Sequence, residues 1–195
     1  MIDDVTVYTA NHCVQDGTPS FEDGTALEEL VSFPERDISI LSLKTTQKMF
    51  PKAPLYEREL KVGDKVYLIV GVDQKKRTEL LDEFPEQIEV TSNQLLKISG
   101  KIIEAYQNRA FKDKNCEPYQ LLDTYTIAAP GRLGFSGAPV LVQINEQYYL
   151  AGFVAAIERP GESHCNKILM TRNAVVFSAI FSWSYTQLVR AEDKK

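Results

Sequence analysis

Along most of the chain, short runs of β-branched and aromatic residues alternate with polar and turn-forming clusters. That is the period-two pattern of strands, not the 3.6-residue pattern of helices. VTVYTA opens the chain at 5–10, DISILSL follows at 37–43, and KVYLIVGV at 65–72 comes just after the turn signal Gly63-Asp64. LLKISGKIIEAY at 95–106, YTIAA at 125–129, APVLVQI at 138–144 and YYLAGFVAAI at 148–157 continue the series. The pattern predicts an all-β protein. Two stretches break it. Residues 73–87, DQKKRTELLDEFPEQ, are charged and weakly periodic, which predicts a solvated connection with one helical turn and a boundary dividing 1–78 from 79–195. From Asn173 onward, Val176, Ile180, Trp183 and Leu188 fall near helical spacing, which predicts an amphipathic C-terminal helix capped by Asn173 and packed on the strands.

Composition supports a folded domain of ordinary kind. With 195 residues, 44% of them hydrophobic and 25% charged, the chain can bury a core. A net charge of -5 supplies no long-range attraction to nucleic acid. No apolar run is long enough to span a bilayer, and the opening residues MIDDVTVY lack the basic start and apolar centre of a secretion signal. Cys13, Cys116 and Cys165 allow at most one intrachain disulfide. There is no CxxC pair and no glycine-rich phosphate loop, so neither a metal nor an organic cofactor is expected.

The candidate chemistry starts from GFSGAPV, residues 134–140, in which Gly134 and Gly137 bracket Ser136. By itself this stretch reads as a turn, because glycine accepts positive φ and serine bonds its own backbone. The chain has two histidines. His12, in TANHCV, stands where a strand runs out into a loop, and His164, in GESHCNK, lies in a polar loop. Asp37 heads the apolar run DISILSL, where an acid either marks the strand entrance or orients a histidine. Together His12, Asp37 and Ser136 occur in the order His, Asp, Ser, each at a strand end or tight turn. That order belongs to the chymotrypsin-like proteases and to neither the subtilisin-like enzymes nor the α/β-hydrolases.

These blocks resemble the trypsin-like serine proteases, and their bacterial branches more than the animal digestive ones. TANHC resembles the family's TAAHC, FPERDISILSL its segment ending in DIALLKL, and GRLGFSGAPV its GDSGGPL. PLYERELKVGDKVYLIVG and YYLAGFVAAI are similar to strands that follow, so the resemblance covers nearly the whole chain. It implies two six-stranded Greek-key barrels, the first carrying His12 and Asp37 and the second Ser136, with the site between them. It also implies a serine endopeptidase acting on protein or peptide substrates through a His12-Asp37-Ser136 triad. The Gly134 and Ser136 amides would form the oxyanion hole, no cofactor would be needed, and the protein would be secreted or periplasmic.

The chain departs from the family in four places. Phe135 stands where animal members carry an aspartate that pairs with a new N-terminus, so activation by N-terminal insertion is not expected. Pro130 occupies the pocket base without an acid, and Ala155, Ala156 and Ile157 fall along the pocket wall, where Ile157 would narrow it toward small or medium apolar residues. Only eleven residues precede His12, so the first barrel is expected to be incomplete, completed by a missing segment or a partner. In the family Cys13 pairs within that region, which would leave Cys116 to pair with Cys165. A barrel lacking strands raises the alternative of a weakly active or inactive protease-like module that binds peptides or a partner.

Overall fold

The computed structural model describes residues 3–15, 27–45, 54–112, 118–158, 161–163, 166–170 and 174–179. The alternating N-terminal runs form strands β1 (Asp3–Ala10), β2 (Glu28–Phe33) and β3 (Ile38–Thr45). They make a three-stranded antiparallel sheet with β3 in the middle, in register from Asp3 opposite Thr45 to Ala10 opposite Ile38. Ile38, Ser39, Ile40, Leu41 and Ser42 of the central strand are all buried.

Lys65–Gly71 form β4, whose Val66, Leu68 and Val70 are buried while the intervening side chains are partly covered, as its alternation predicts. A helix, α1 (Gln74–Glu83), follows, and then β5 (Ile88–Val90), the long β6 (Leu95–Lys112), β7 (Pro118–Ala128), β8 (Pro139–Ile144) and β9 (Gln147–Glu158). A small hairpin, β10 (Gly161–Ser163) with β11 (Asn166–Met170), precedes β12 (Ala174–Ala179). The second sheet runs β4-β8-β9-β12-β7-β6-β5, and an additional pairing of β4 with β6 closes it. Closure joins six of these strands into a barrel and removes their free edges, leaving β5 as an addition along β6. Its core includes Leu68, Leu96, Ile98, Tyr125, Phe135 and Phe177, with the Tyr125 and Phe177 rings stacked at 5.3 Å.

Three expectations change. Residues 73–87 contain a ten-residue helix, not a single turn. Asp73 caps it by accepting the Lys76 N–H at 2.8 Å, and Leu80, fully buried, fastens it to the barrel at a gain of about 2 kcal/mol. Only a narrow stripe of α1 is apolar, which is why its periodicity is faint. Next, β4 bonds to β6 and β8, so residues 65–71 share a sheet with the strand that follows Ser136, and the change of sheet falls between β3 and β4 rather than at 78/79. Finally, residues 174–179 are a strand, not the start of a helix. β12 is hydrogen-bonded to both β7 and β9 and buried at every position, so a continuous apolar run suits it and the helical spacing of its apolar residues carries no information. Ile180, Trp183 and Leu188 lie outside the described residues.

The two sheets meet through Ile38, Leu150 and Phe153, with Tyr8, Leu55 and Leu141 packed around them and the Tyr8 and Phe153 rings stacked at 6.2 Å. Arg36 and Asp123 form an ion pair across the same junction, at 2.9 Å but without the alignment of a hydrogen bond to that carboxylate oxygen. No described helix is long and apolar enough to cross a membrane.

Candidate active site

His12 sits in a single 3-10 turn, Asn11–Cys13, at the end of β1. Asp37 ends another, Pro34–Arg36, just before β3. Because β1 and β3 pair in register to Ala10 and Ile38, the two turns emerge side by side, and the Asn11 N–H donates to the Asp37 carbonyl at 3.0 Å. Asp37 adopts φ 52, a left-handed conformation that aspartate tolerates better than most residues. Its carboxylate is then aimed at His12. Oδ1 accepts the His12 backbone N–H at 2.8 Å, and Oδ2 lies 2.7 Å from His12 Nδ1.

The carboxylate is buried, whereas the imidazole is 45% exposed. The hydrogen bond to Asp37 and, after it, one to the Cys13 side chain push the His12 pKa up to about 10 against the opposing effect of burial. Beneath the pair, Ser39 Oγ lies 2.8 Å from both Asn11 Oδ1 and Glu29 Oε1. A hydroxyl has one proton, so both contacts are satisfied when Asn11 turns its amide N–H₂ to Ser39 and Ser39 donates to Glu29.

The serine loop is two consecutive turns. The Phe135 N–H returns to the Arg132 carbonyl at 3.2 Å, and the Ala138 N–H to the Phe135 carbonyl at 3.0 Å. Their third residues are Gly134 at φ 94 and Gly137 at φ 77, the positive φ that a type II turn demands at that position. Ser136 is therefore the second residue of the second turn, half-buried, while Phe135 between the turns is fully buried in the barrel core. Phe135 anchors the loop by packing in the barrel core. The Phe135, Gly137 and Ala138 amides all have backbone acceptors. Among the described residues those of Gly134 and Ser136 have none.

The loop rests on the histidine turn. A Cβ added to Gly137 would lie 2.7 Å from Thr9 Oγ1, 3.6 Å from the Ala10 nitrogen and 3.9 Å from Cys13 Sγ. Cys13 is a free, exposed thiol. His12, Asp37 and the Ser136 turn thus converge on one junction between the sheets. A Cβ on Gly131 would lie 2.9 Å from Ile157 Cγ2, so Ile157 packs against the segment that follows Pro130. Pro130 and Ala155 are buried, and Ala156 and Ile157 are partly so.

Solved structures share this architecture. Thermobifida fusca Protease A is 13% identical, with a TM-score of 0.55 over 96% of this chain and 83% of that one. The MamO protease domain of Magnetospirillum magneticum is 15% identical, with a TM-score of 0.57 over 94% and 82%. The active form of the Rv3671c protease from M. tuberculosis is 17% identical, with a TM-score of 0.58 over 95% and 68%. The fold is that of the chymotrypsin-like proteases. No protein-family model and no curated protein matches the sequence.

His164, Cys116 and Cys165 lie outside the described residues. Sequence reasoning missed the α1 side of the loop. Arg132 binds Glu83 and sits over the Phe84 ring at 5.6 Å, and Lys76 Nζ lies 3.6 Å from where a Gly134 Cβ would be. No local signal marks these residues, because they reach the site only through the helix that the charged stretch conceals.

Proposed function

We propose that the protein is a serine endopeptidase that hydrolyses peptide bonds through His12, Asp37 and Ser136. The observation that carries this reading is the hydrogen bond from His12 Nδ1 to the buried Asp37 carboxylate at 2.7 Å, beside a serine turn seated on the same histidine loop. With Nδ1 holding its proton toward Asp37, Nε2 is left to accept the Ser136 hydroxyl proton as Oγ bonds to the scissile carbonyl carbon. The carbonyl oxygen gains the negative charge and is held by the Gly134 and Ser136 N–H groups, each worth roughly 3 kcal/mol. His12 then gives its proton to the leaving amine as the C–N bond breaks. Water, deprotonated by His12, cleaves the resulting ester and restores Ser136.

The raised pKa of His12 means that the neutral, proton-accepting imidazole gains population as pH rises, so turnover belongs to the alkaline side. Ile157 packed over Gly131 favours small or medium apolar residues on the acyl side of the cut.

The test is labelling with a fluorophosphonate probe. Labelling of wild type that Ser136→Ala abolishes is the expected result. An unlabelled, folded wild type, or equal labelling of Ser136→Ala, overturns the reading.

A further inference from the structure

The Ser136 turn has two flanks. It runs into β8, and the strand order sets β9, with Ala155–Ile157, on one side of β8 and β4, leading to α1, on the other. If the acyl side of a substrate lies toward β9, its leaving-group side exits toward β4 and α1. On that exit flank stands a cation. Lys76 Nζ is the nearest atom to the outer face of Gly134, at 3.6 Å from a Cβ built there.

The base of this lysine is firmly placed. Asp73 caps the helix, Leu80 is buried beneath it, and Arg132, from the residues just before Gly134, ties back to Glu83 and Phe84. Its ammonium is loosely held. Among the described residues its ion-pair partner is Asp73, with Oδ2 at 3.7 Å, and both side chains are exposed. Oδ1 of that acid is already committed to the Lys76 N–H. An exposed pair at this distance gains little, which leaves the ammonium donors free for another carboxylate. Behind Lys76 lies an open cleft of about 710 Å³, lined by Val72, Asp73, Gln74, Asn93, Gln94 and Leu95 among others, with Leu95 42% exposed as an apolar wall. The cleft offers a charged mouth and an apolar side to a chain leaving the serine.

Resting on the proteolytic reading above, we infer that Lys76 and this cleft form a leaving-side subsite selecting substrates with Asp or Glu after the scissile bond. An extended chain advances about 3.3 Å per residue, so the acid falls within roughly the first three positions.

The experiment uses quenched peptides with alanine before the scissile bond and Glu, Gln or Lys placed in turn at each of the next three positions. Hydrolysis is followed in wild type, Lys76→Ala and Lys76→Glu, and binding to Ser136→Ala is followed with and without Lys76→Ala. The Glu-to-Gln ratio is read within each variant. Wild type is expected to favour Glu over Gln about three- to fivefold at one position, as an exposed ion pair allows, with the preference shrinking at high salt. Lys76→Ala is expected to bring the ratio to about one, and Lys76→Glu to favour Lys instead.

Equal rates for Glu and Gln in wild type, or a preference that survives Lys76→Ala, overturn the subsite. If no peptide is cleaved but Ser136→Ala still prefers Glu through Lys76, the subsite stands and the proteolytic reading falls. If there is neither cleavage nor selective binding, both fall.

Discussion

Asp37→Asn isolates the chemistry of the site from its folding. Asparagine has the same shape and tolerates φ 52 at least as well as aspartate, so the turn before β3 survives the change. The two carboxylate oxygens, however, do different jobs. Oδ1 accepts the His12 backbone N–H at 2.8 Å, a donor that can be met only by the amide oxygen, so the amide N–H₂ is forced onto His12 Nδ1. Nδ1 must then be an acceptor, and the imidazole proton moves to Nε2, the edge that the proposed mechanism needs to take the proton from Ser136. The Asp37 side chain is only 8% exposed, so water has little access to repair the pairing. A triad held in the wrong tautomer loses about 10⁴ in rate, near 5.4 kcal/mol of barrier. The carboxylate that raises the His12 pKa is also gone, so His12 returns toward its ordinary value of 6.5. The fluorophosphonate labelling rate measures the first effect, and nitrogen NMR of the imidazole, in a His164→Gln background that leaves one histidine signal, measures the second. A labelling rate within tenfold of wild type, with the Nε2 proton confirmed by NMR, would refute the role given to the His12–Asp37 bond.

The raised pKa of His12 also makes a prediction about stability. The folded-state value, about 10, lies above the ordinary 6.5, so the charged pair stabilises fully below about pH 6.5 and its contribution is lost as pH rises through 10. Solvent reaches nearly half of the imidazole, which reduces the gain to the order of 1 kcal/mol. Urea midpoints of wild type minus Asp37→Asn, taken at about pH 6 and about pH 10.5, should therefore differ, and an equal gap at both contradicts the assignment. Gly137→Ala puts a methyl 2.7 Å from Thr9 Oγ1 at φ 77, which should cost about 1–3 kcal/mol and slow labelling by pushing the serine turn off the histidine loop. Gly71→Ala meets nothing within 4 Å and should stay within about 0.5 kcal/mol of wild type by the same denaturation assay, so equal losses in the two variants would sink the steric account.

The local chemistry was legible wherever the cause is local. Alternation in KVYLIVGV follows from a strand with one face more deeply covered than the other, and Gly134 and Gly137 follow from positive φ in two tight turns. The His12, Asp37 and Ser136 blocks each announce a strand end, and their order points to one arrangement. The faint periodicity of α1 hid a helix whose stability comes from burying Leu80 against the barrel rather than from its own pattern. Ala174–Ala179 misled in the opposite sense, since a strand covered on both faces has no polar side to reveal its period.

Residue types, their order and the conformations forced on single positions are therefore written in the chain, because they depend on a few neighbours. Which sheet β4 joins, the aim of Asp37 at Nδ1, the anchoring of the serine turn by Phe135, and the arrival of Lys76 beside Gly134 are not. Each depends on contacts between residues far apart in sequence, and those contacts exist only once β4 and β6 have closed the barrel and the two sheets have met.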